Sequence, residues 1–337
     1  MSSPYQAFAE LLCCPTCKGA FAPAAGEVLR CGDARCGKTF PIVDGRPVLI
    51  DEDRSVFHHG DYQRDPAAGP GPESGVAKVP EGGSGKAPEG AGGKARLWLS
   101  RLPSPSVNLS AVRCFESMKR LLLERNASPV VLLVGGGIRG KGMRALTSEP
   151  AIRLINVDPS PDSTASIFCD AHDLPFRDGS IDAVVAQAVL EHVADPWRCV
   201  EEIHRLLKPN GIVYAETPFM QQVHLHGYDF TRFSHMGHRR LFRRFAEIES
   251  GAVAGPGTAL AWAWRYFLAS WTRSRALAKA LALFGRITAF IFEVTDHIFG
   301  QRPGALDGAS CIFFLGTRAE TVVSDRELIA GYRGTQR

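Results

Sequence analysis

Four short apolar runs, separated by segments with helix-like patterns, constrain the fold of this chain more than any other feature. The runs are bounded by Gly, Pro or Asp, and they read VVLLV (130–134), RLINV (153–157), IDAVVA (181–186) and GIVYAE (211–216). Buried parallel strands are typically continuous apolar runs, and the helices that connect them cover both faces of the sheet. The sequence therefore predicts an α/β fold with a Rossmann-like, doubly wound and mostly parallel sheet.

The segments around these runs predict the helices. Helical patterns occupy residues 111–126, 140–147 and 196–207. Further along, residues 259–298 are strongly apolar, but Arg and Lys interrupt them, so that no uncharged run reaches the ~18 residues that a membrane span needs. We expect two or three amphipathic helices there, followed by a late strand, CIFFLG (311–316), that returns to the sheet.

A Gly- and Pro-rich stretch divides the chain. Close to half of the residues from Pro66 to Lys94 are Gly or Pro, a composition typical of flexible linkers. We therefore predict a small module at 1–55, a linker at 56–96, and a main domain at 97–337 that carries the apolar helices as an insertion.

Charge and cysteine content exclude several classes of protein. The net charge of +4 comes from scattered Lys and Arg, so nucleic acid is not an expected partner. The N-terminus lacks a basic start followed by an apolar run, which predicts a cytoplasmic, reducing location. In that setting the nine cysteines are metal ligands or buried side chains rather than disulfides. The sequence leaves the oligomeric state open.

Two cysteine pairs predict a metal site near the N-terminus. Cys14 and Cys17 form one pair, and Cys31 and Cys36 form the other. Four thiolates complete the tetrahedral shell of structural zinc, and a module this small needs such a crosslink to be stable. The alternative is a metal-free turn scaffold with four reduced cysteines. Cys13 is the spare cysteine and is expected to pack.

Residues 10–50 resemble a known family of small proteins. The cysteine pairs and the ending FPIVDGRPVLI (40–50) are similar to the zinc-ribbon-like proteins that bind and activate tRNA, rRNA and translation-factor methyltransferases. The resemblance implies a structural and docking role, in which the zinc is not catalytic. This chain has two extra residues between Cys31 and Cys36.

A glycine-rich turn follows the first strand and predicts a ligand site. In VVLLVGGGIRGKG (130–142), glycines allow the backbone to approach a ligand and the helix N–H groups face it. The next strand ends in Asp158, where a carboxylate can accept hydrogen bonds from both ribose hydroxyls. These features favour an adenosine-type ligand, and a dinucleotide-binding dehydrogenase would show them as well.

The segment from Val130 to Pro218, and within it IFCDAHDLPF…QAVLEHVADP…LLKPNGIVYAETP, resembles class I S-adenosylmethionine-dependent methyltransferases. The resemblance implies that S-adenosylmethionine is the cofactor. By the same resemblance, Gly135, Gly137 and Gly140 contact its methionine portion, and Asp158 contacts its ribose. Asp170 and the Ala171 backbone contact the adenine, and Gln187 lies beside the methyl group. Leu133 stands where the family often has an acidic residue, and Arg139 interrupts the usual glycine spacing. The alternative is that these carboxylates cap turns and that the site is a relic.

The segment after the fourth predicted strand is rich in histidine. It contains His224, His226, Asp229, Arg232, His235 and His238. Because ligands of parallel sheets bind at the carboxyl ends of the strands, we expect this loop to form the acceptor wall. A base is needed where the methyl acceptor is an alcohol, and we predict His224 or His226, oriented by Asp229, for that role.

Three alternatives remain at this loop and near it. Its histidines could belong to a surface loop without chemistry, or to a second metal site, which is less favoured because no carboxylate cluster accompanies them. His192, next to Glu191 after the preceding strand, could serve as base, although capping or packing is at least as common for such a residue.

The sequence thus predicts a methyltransferase that acts on a small-molecule acceptor, at oxygen, with the apolar helices as a lid. The loop at 218–242 is similar, more loosely, to those of methyltransferases in polysaccharide and secondary-metabolite pathways. One alternative is an RNA or protein methyltransferase with a fused activator, for which the only basic cluster is Arg239, Arg240, Arg243 and Arg244. Another is a cofactor-binding scaffold without turnover.

Overall fold

A computed structural model describes residues 4–23, 26–62, 107–136, 140 and 142–335. Gly137, Arg139 and most of the predicted linker lie outside the described residues. The strands are β1 Val28–Arg30, β2 Thr39–Val43, β3 Arg46–Leu49, β4 Val130–Val134, β5 Arg153–Val157, β6 Phe168–Cys169, β7 Ile181–Gln187, β8 Leu207–Pro218, β9 Phe245–Ala254 and β10 Cys311–Arg318. The helices are α1 Ala111–Arg125, α2 Arg144–Thr147, α3 Pro196–Leu206, α4 His235–Leu241, α5 Pro256–Ala269, α6 Arg275–Phe299, α7 Pro303–Asp307 and α8 Asp325–Ala330.

Six strands form the main sheet in the order β5-β4-β7-β8-β10-β9. The pairs β4–β5, β4–β7 and β7–β8 are parallel, whereas β10 runs antiparallel to both of its neighbours. Buried side chains line both faces: Leu132 and Val184 belong to one core cluster, and Val131 and Val185 to the other. The predicted α/β fold with a mostly parallel sheet is confirmed.

Strand β9 and helix α2 are among the elements that differ from the sequence prediction. Strand β9 was not predicted, because it is an edge strand of the sheet and its polar residues, such as Glu247, break the apolar pattern. Helix α2 begins at Arg144 rather than at residue 140. Gly142 just before it has φ +82°, a left-handed conformation that a right-handed helix cannot include.

The N-terminal module is joined to the main domain through a separate, smaller sheet. Strand β3 pairs in parallel with β6, with Val48 opposite Phe168, and this extends the module's hairpin into a sheet of order β1-β2-β3-β6. Phe40 and Leu49 of the module lie in the same buried cluster as Phe176 of the main domain. The module therefore shares its core with the sheet that carries the site.

Helices α5 and α6 form an antiparallel hairpin, hereafter the helical hairpin (256–299). Asp296 near the end of α6 is buried and accepts hydrogen bonds from the backbone N–H groups of Gly257 and Thr258, both at 2.8 Å. The hydroxyl of Tyr266 donates to the carbonyl of Val223, at 2.9 Å, and links the hairpin to the loop after β8. Within the described part of the chain, no helix has the length and apolar character to cross a bilayer.

Candidate active site and cysteine cluster

The four predicted cysteine ligands converge. The Sγ atoms of Cys14 and Cys36 are 3.8 Å apart, those of Cys17 and Cys31 are 3.4 Å apart, and all four lie within 4.8 Å of one another. Tetrahedral zinc with Zn–S bonds of about 2.3 Å places its sulfurs about 3.8 Å apart, so this donor set fits the ion. Cys13 is buried outside the cluster, and burial raises its thiol pKa to about 11.

The glycine turn after β4 forms one end of the candidate cofactor site. Gly135 has φ +66°, which turns the chain away from the strand. At Gly140 a Cβ atom would overlap the side-chain amide of Gln187 at the end of β7. Because glycine has no side chain, the turn can lie directly against the edge of the sheet at this position. Gly137 lies outside the described residues.

The neighbouring strand supplies two polar side chains at the same edge. Asp158 directly follows β5, and its Oδ1 atom accepts a hydrogen bond of 2.8 Å from the N–H of Ser160. Asn156 Oδ1 is buried and has no hydrogen-bond partner among the described residues, and it lies where a Cβ on Gly136 would collide with it. A buried acceptor without a partner beside a glycine turn fits a polar ligand there.

Asp170 is already engaged by the protein. It is only 6% exposed and accepts hydrogen bonds from the Ser55 hydroxyl, at 2.5 Å, and from the backbone N–H of His172, at 3.0 Å. Burial alone would raise the carboxyl pKa of Asp170, but the contacts with His172 and Ser55 outweigh it and lower the pKa. The neighbouring Ala171 is buried in a short 3-10 helix.

Residues 51–62, hereafter the strap, connect the N-terminal module to both sides of the site. Besides the Ser55 contact, the Phe57 ring stacks on Tyr228 of the loop after β8, with centroids 6.1 Å apart. Tyr62 is buried against Phe168. The sequence analysis assigned residues from 56 onward to a linker, and no local pattern distinguishes the packed part of that stretch.

A buried carboxylate lies at the end of β8, beside the predicted methyl-facing residue. Gln187 and Glu216 are opposite each other in the β7–β8 pairing. Burial raises the pKa of Glu216, although hydrogen bonds from Tyr214, Gln187 and Asn108 oppose that rise. The Tyr214 hydroxyl is 2.5 Å from Glu216 Oε1. Glu216 therefore anchors the residues around Gln187, a role that the sequence analysis missed.

Glu191, His192 and His224 come together next to this edge. Glu191 is fully buried, and its Oε1 atom is 3.7 Å from His192 Nε2 and 3.8 Å from His224 Nε2. The two imidazole rings meet edge to face, with centroids 4.8 Å apart. Burial would lower the pKa of His224, but Glu191 outweighs this and raises it.

Asp229 contacts His224 mainly through the backbone. Its carboxylate binds the guanidinium of Arg232 through both oxygens and accepts the backbone N–H of His224 at 2.7 Å. Asp229 Oδ2 is 3.5 Å from His224 Nδ1, so the carboxylate on the Nε2 side is Glu191. The side chain of His226 lies outside the described residues.

Two other histidines of this segment are core residues of α4. His235 Nε2 is 2.9 Å from the hydroxyl of Ser250, and burial lowers the pKa of His235 to about 4. His238 is fully buried beside Phe242, and burial lowers its pKa to about 3. Both imidazoles are therefore neutral at physiological pH and lie outside the group formed by Glu191, His192 and His224.

Comparison with known proteins identifies the central part of the chain. Residues 132–215 match a protein family described as "Methyltransferase domain". This segment is a methyltransferase domain. It contains Gly135 and Gly140 of the turn, Asp158, Asp170 and Glu191, and it confirms the class I resemblance of the sequence.

The relatives of the methyltransferase domain share only part of their length with this chain. An uncharacterized methyltransferase of Mycobacterium sp. (strain JLS) is 34% identical over 90 residues, which cover 24% of this chain and 36% of the relative. The mitochondrial arginine-hydroxylase NDUFAF5 of Homo sapiens is 36% identical over 73 residues, 22% of this chain and 21% of the relative. The chain thus spans about a third or less of the length of these relatives.

Solved structures give weaker likenesses. One chain in the complex between the Haloferax volcanii Trm112 methyltransferase activator and its candidate methyltransferase is 24% identical, with 62% of this chain and 91% of that chain covered and a TM-score of 0.36. Phosphoethanolamine N-methyltransferase 2 of Haemonchus contortus, with S-adenosylmethionine, is 18% identical, with 62% and 57% covered and a TM-score of 0.38. TM-scores this low carry no argument about fold or function.

The basic cluster beyond the methyltransferase domain is largely paired. Arg239 contacts Glu247, Arg240 contacts Asp325 at 3.0 Å, and Arg243 contacts the same Asp325 at 3.3 Å. Guanidinium groups held by carboxylates contribute little free positive charge. The cluster therefore gives no support to a nucleic-acid surface.

Proposed function

We propose that this protein is an S-adenosylmethionine-dependent methyltransferase that methylates a small molecule at oxygen. One observation carries the proposal: the glycine turn with Asp158 and the group of Glu191, His192 and His224 lie at the same carboxyl edge of one parallel sheet. That edge is where α/β proteins bind their ligands. The family match over residues 132–215 supports methyl transfer as the reaction.

In this proposal the cofactor is held by strands β4 to β7. Gly135, Gly137 and Gly140 would surround its methionine portion, and Asp158 would accept hydrogen bonds from its ribose hydroxyls. Asp170 and the Ala171 backbone would contact the adenine. When bound, the cofactor supplies an electrophilic methyl group on a sulfonium. Gln187, held by Glu216, would face that methyl group.

The acceptor would lie between Gln187 and the histidine loop. In-line placement of the attacking oxygen contributes most to such a transfer, and loss of the hydroxyl proton assists it. We propose that His224 is the loop histidine that accepts this proton. Glu191, rather than Asp229, faces its Nε2 atom. Asp229 would position the loop through Arg232 and the His224 backbone. His226 stays a second catalytic candidate from the sequence.

We further propose that Cys14, Cys17, Cys31 and Cys36 hold one structural zinc ion. The distances between their sulfurs support this assignment. The zinc would fix the module that carries the strap and would take no part in the reaction. We also propose a reducing, cytoplasmic location, in which none of the nine cysteines would form a disulfide.

Calorimetry of S-adenosylmethionine and its demethylated product tests the cofactor site. We expect Asp158→Ala to weaken binding by ~1.5 to 3 kcal/mol, because charge-assisted hydrogen bonds to the ribose are lost. Asp178→Ala is the matched control, since this carboxylate is exposed on the turn before β7, at the opposite edge. Equal affinity in both variants would refute the assignment.

The acceptor is found by incubating the protein with methyl-labelled S-adenosylmethionine and fractionated cell extract. Label in small molecules supports the proposal, and labelled RNA or protein would establish the alternative with a fused activator. Cofactor binding without label in any fraction would favour a scaffold without turnover. Once an acceptor is known, His224→Ala should lower turnover ~100-fold or more with cofactor affinity unchanged.

A further inference from the structure

We propose that Glu191, His192 and His224 bind a divalent transition-metal ion, at a second metal site separate from the cysteine cluster. Their ligand atoms, one carboxylate oxygen and two imidazole nitrogens, lie within 4.8 Å of one another. Sequence analysis disfavoured a second metal because no carboxylate cluster accompanies the loop histidines. The fold supplies that carboxylate from the segment after β7.

The first observation that supports this metal site is the environment of the Glu191 carboxylate. Glu191 is fully buried, and neither of its oxygens has a hydrogen-bond partner within the part of the chain that the structure describes. A buried carboxylate without partners is costly, and proteins retain one where it is paired or binds a metal. The two imidazole nitrogens at 3.7 and 3.8 Å are too far for hydrogen bonds. An ion between the three atoms would satisfy the carboxylate.

The second observation that supports this metal site is the orientation of the His192 ring. Its Nδ1 atom is 2.8 Å from the carbonyl oxygen of Tyr228. A carbonyl can only accept, so Nδ1 carries the proton and Nε2, which faces Glu191, has a free lone pair. Metal-binding histidines are typically held in this way, by donating the other ring N–H to a carbonyl or carboxylate.

His224 has two acceptors and one donor on its Nδ1 side. The Gln222 carbonyl is 3.4 Å from Nδ1, and Asp229 Oδ2 is 3.5 Å from it. Arg232 Nη2 is also 3.4 Å from Nδ1, while both Asp229 oxygens bind the same guanidinium. These groups hold the imidazole with Nε2 toward Glu191. Both histidines therefore present Nε2 to one buried carboxylate.

The ligand types indicate which ions fit. Two imidazoles and one carboxylate suit Zn²⁺, Fe²⁺, Mn²⁺ or Co²⁺, whereas four thiolates select zinc. Three protein ligands leave at least one position open, as at catalytic rather than structural sites. With the ion bound, His224 Nε2 would be a ligand and not a base, and an acceptor oxygen in the open position would lose its proton more easily because the ion polarises it. This last role rests on the proposed function, whereas metal binding does not.

Metal content and Co²⁺ spectra test the site in the full chain. After incubation with excess Zn²⁺ and dialysis, we expect two equivalents in the wild type and one in Glu191→Gln or His224→Gln. His58→Gln, which alters an exposed histidine, is the control and should keep two. In the Co²⁺ protein, the cysteine cluster gives intense thiolate charge-transfer bands. The second ion should add only weaker bands, which both variants lose.

The outcomes separate this inference from the proposed function. A wild type that holds a single equivalent after loading, with the thiolate bands alone, overturns the second site. Unchanged metal content in both Glu191→Gln and His224→Gln overturns it as well. Because His224 is partly exposed, His224→Gln decides the question if the Glu191 variant does not fold. Cofactor affinity is measured by calorimetry in the same variants, and we expect it to persist when the second ion is lost.

Discussion

The N-terminal module and the helical hairpin are both additions to the main sheet, and they bury their apolar side chains to very different extents. In the module, Leu12, Phe40 and Leu49 are at most 2% exposed and join the core of the methyltransferase domain. In the hairpin, Phe284 is 54% exposed and Ile291 is 65% exposed. More than half of the exposed large apolar side chains in the described part of the chain lie on these two helices.

The difference follows from how each addition contacts the sheet. The module adds a strand to β6 and places Lys18 2.8 Å from Glu202 of α3, so its folding and that of the sheet are coupled. The hairpin packs mainly on itself, through contacts such as Trp264 Nε1 to Thr288 Oγ1 at 2.9 Å. We therefore expect changes in the module to affect the whole chain and changes on the outer face of the hairpin to remain local.

The largest effect is expected from the cysteine cluster. Cys14→Ser should remove the zinc and lower the free energy of unfolding of the whole chain by ~3 kcal/mol or more, because the module's core is also the sheet's core. Thermal unfolding followed by circular dichroism measures this loss. Cys13→Ala is the control and should keep the zinc. If Cys14→Ser unfolded the module alone and left the unfolding temperature of the main sheet unchanged, the folding of the module and that of the sheet would not be coupled.

A smaller effect is expected at the strap. Ser55→Ala removes the hydroxyl that holds Asp170, and we expect ~5-fold weaker binding of S-adenosylmethionine, the equivalent of one hydrogen bond. Ser180→Ala is the control, because its hydroxyl bonds the carbonyl of Arg177 before β7, at the far edge of the sheet. Tighter binding in Ser55→Ala would mean that the strap competes with the cofactor for Asp170.

These contrasts also show what the sequence could predict. Strands β4, β5 and β7 were predicted within one residue, because a buried parallel strand reads as an apolar run. The glycine turn and Asp158 follow these strands directly, so their common edge was predictable as well. The cysteine pairs were recognisable for the same reason, since two close neighbours in sequence form each half of the cluster.

Contacts between distant segments could not be predicted in this way. The approach of Glu191 to His224 depends on how the loop after β8 folds back across β7, and no local pattern encodes it. Asp229 is close to His224 in sequence and was therefore the predicted partner, and it does accept the backbone N–H of His224. The strap was missed because residues 56–62 are too short and irregular to predict an element, although Phe57 and Tyr62 dock on partners far along the chain.

The smallest effect is expected on the outer face of the hairpin. Ile291→Ser should change the free energy of unfolding by no more than ~0.5 kcal/mol, because the side chain is mostly exposed and Ser and Ile have similar helix propensities. Asp296→Ala, five residues further along the same helix, should cost ~1 to 2 kcal/mol, because it removes the cap of α5. Urea denaturation of both variants gives the comparison. A loss of 1 kcal/mol or more in Ile291→Ser would mean that this face is covered in the folded protein, and the hairpin would then resemble the module after all.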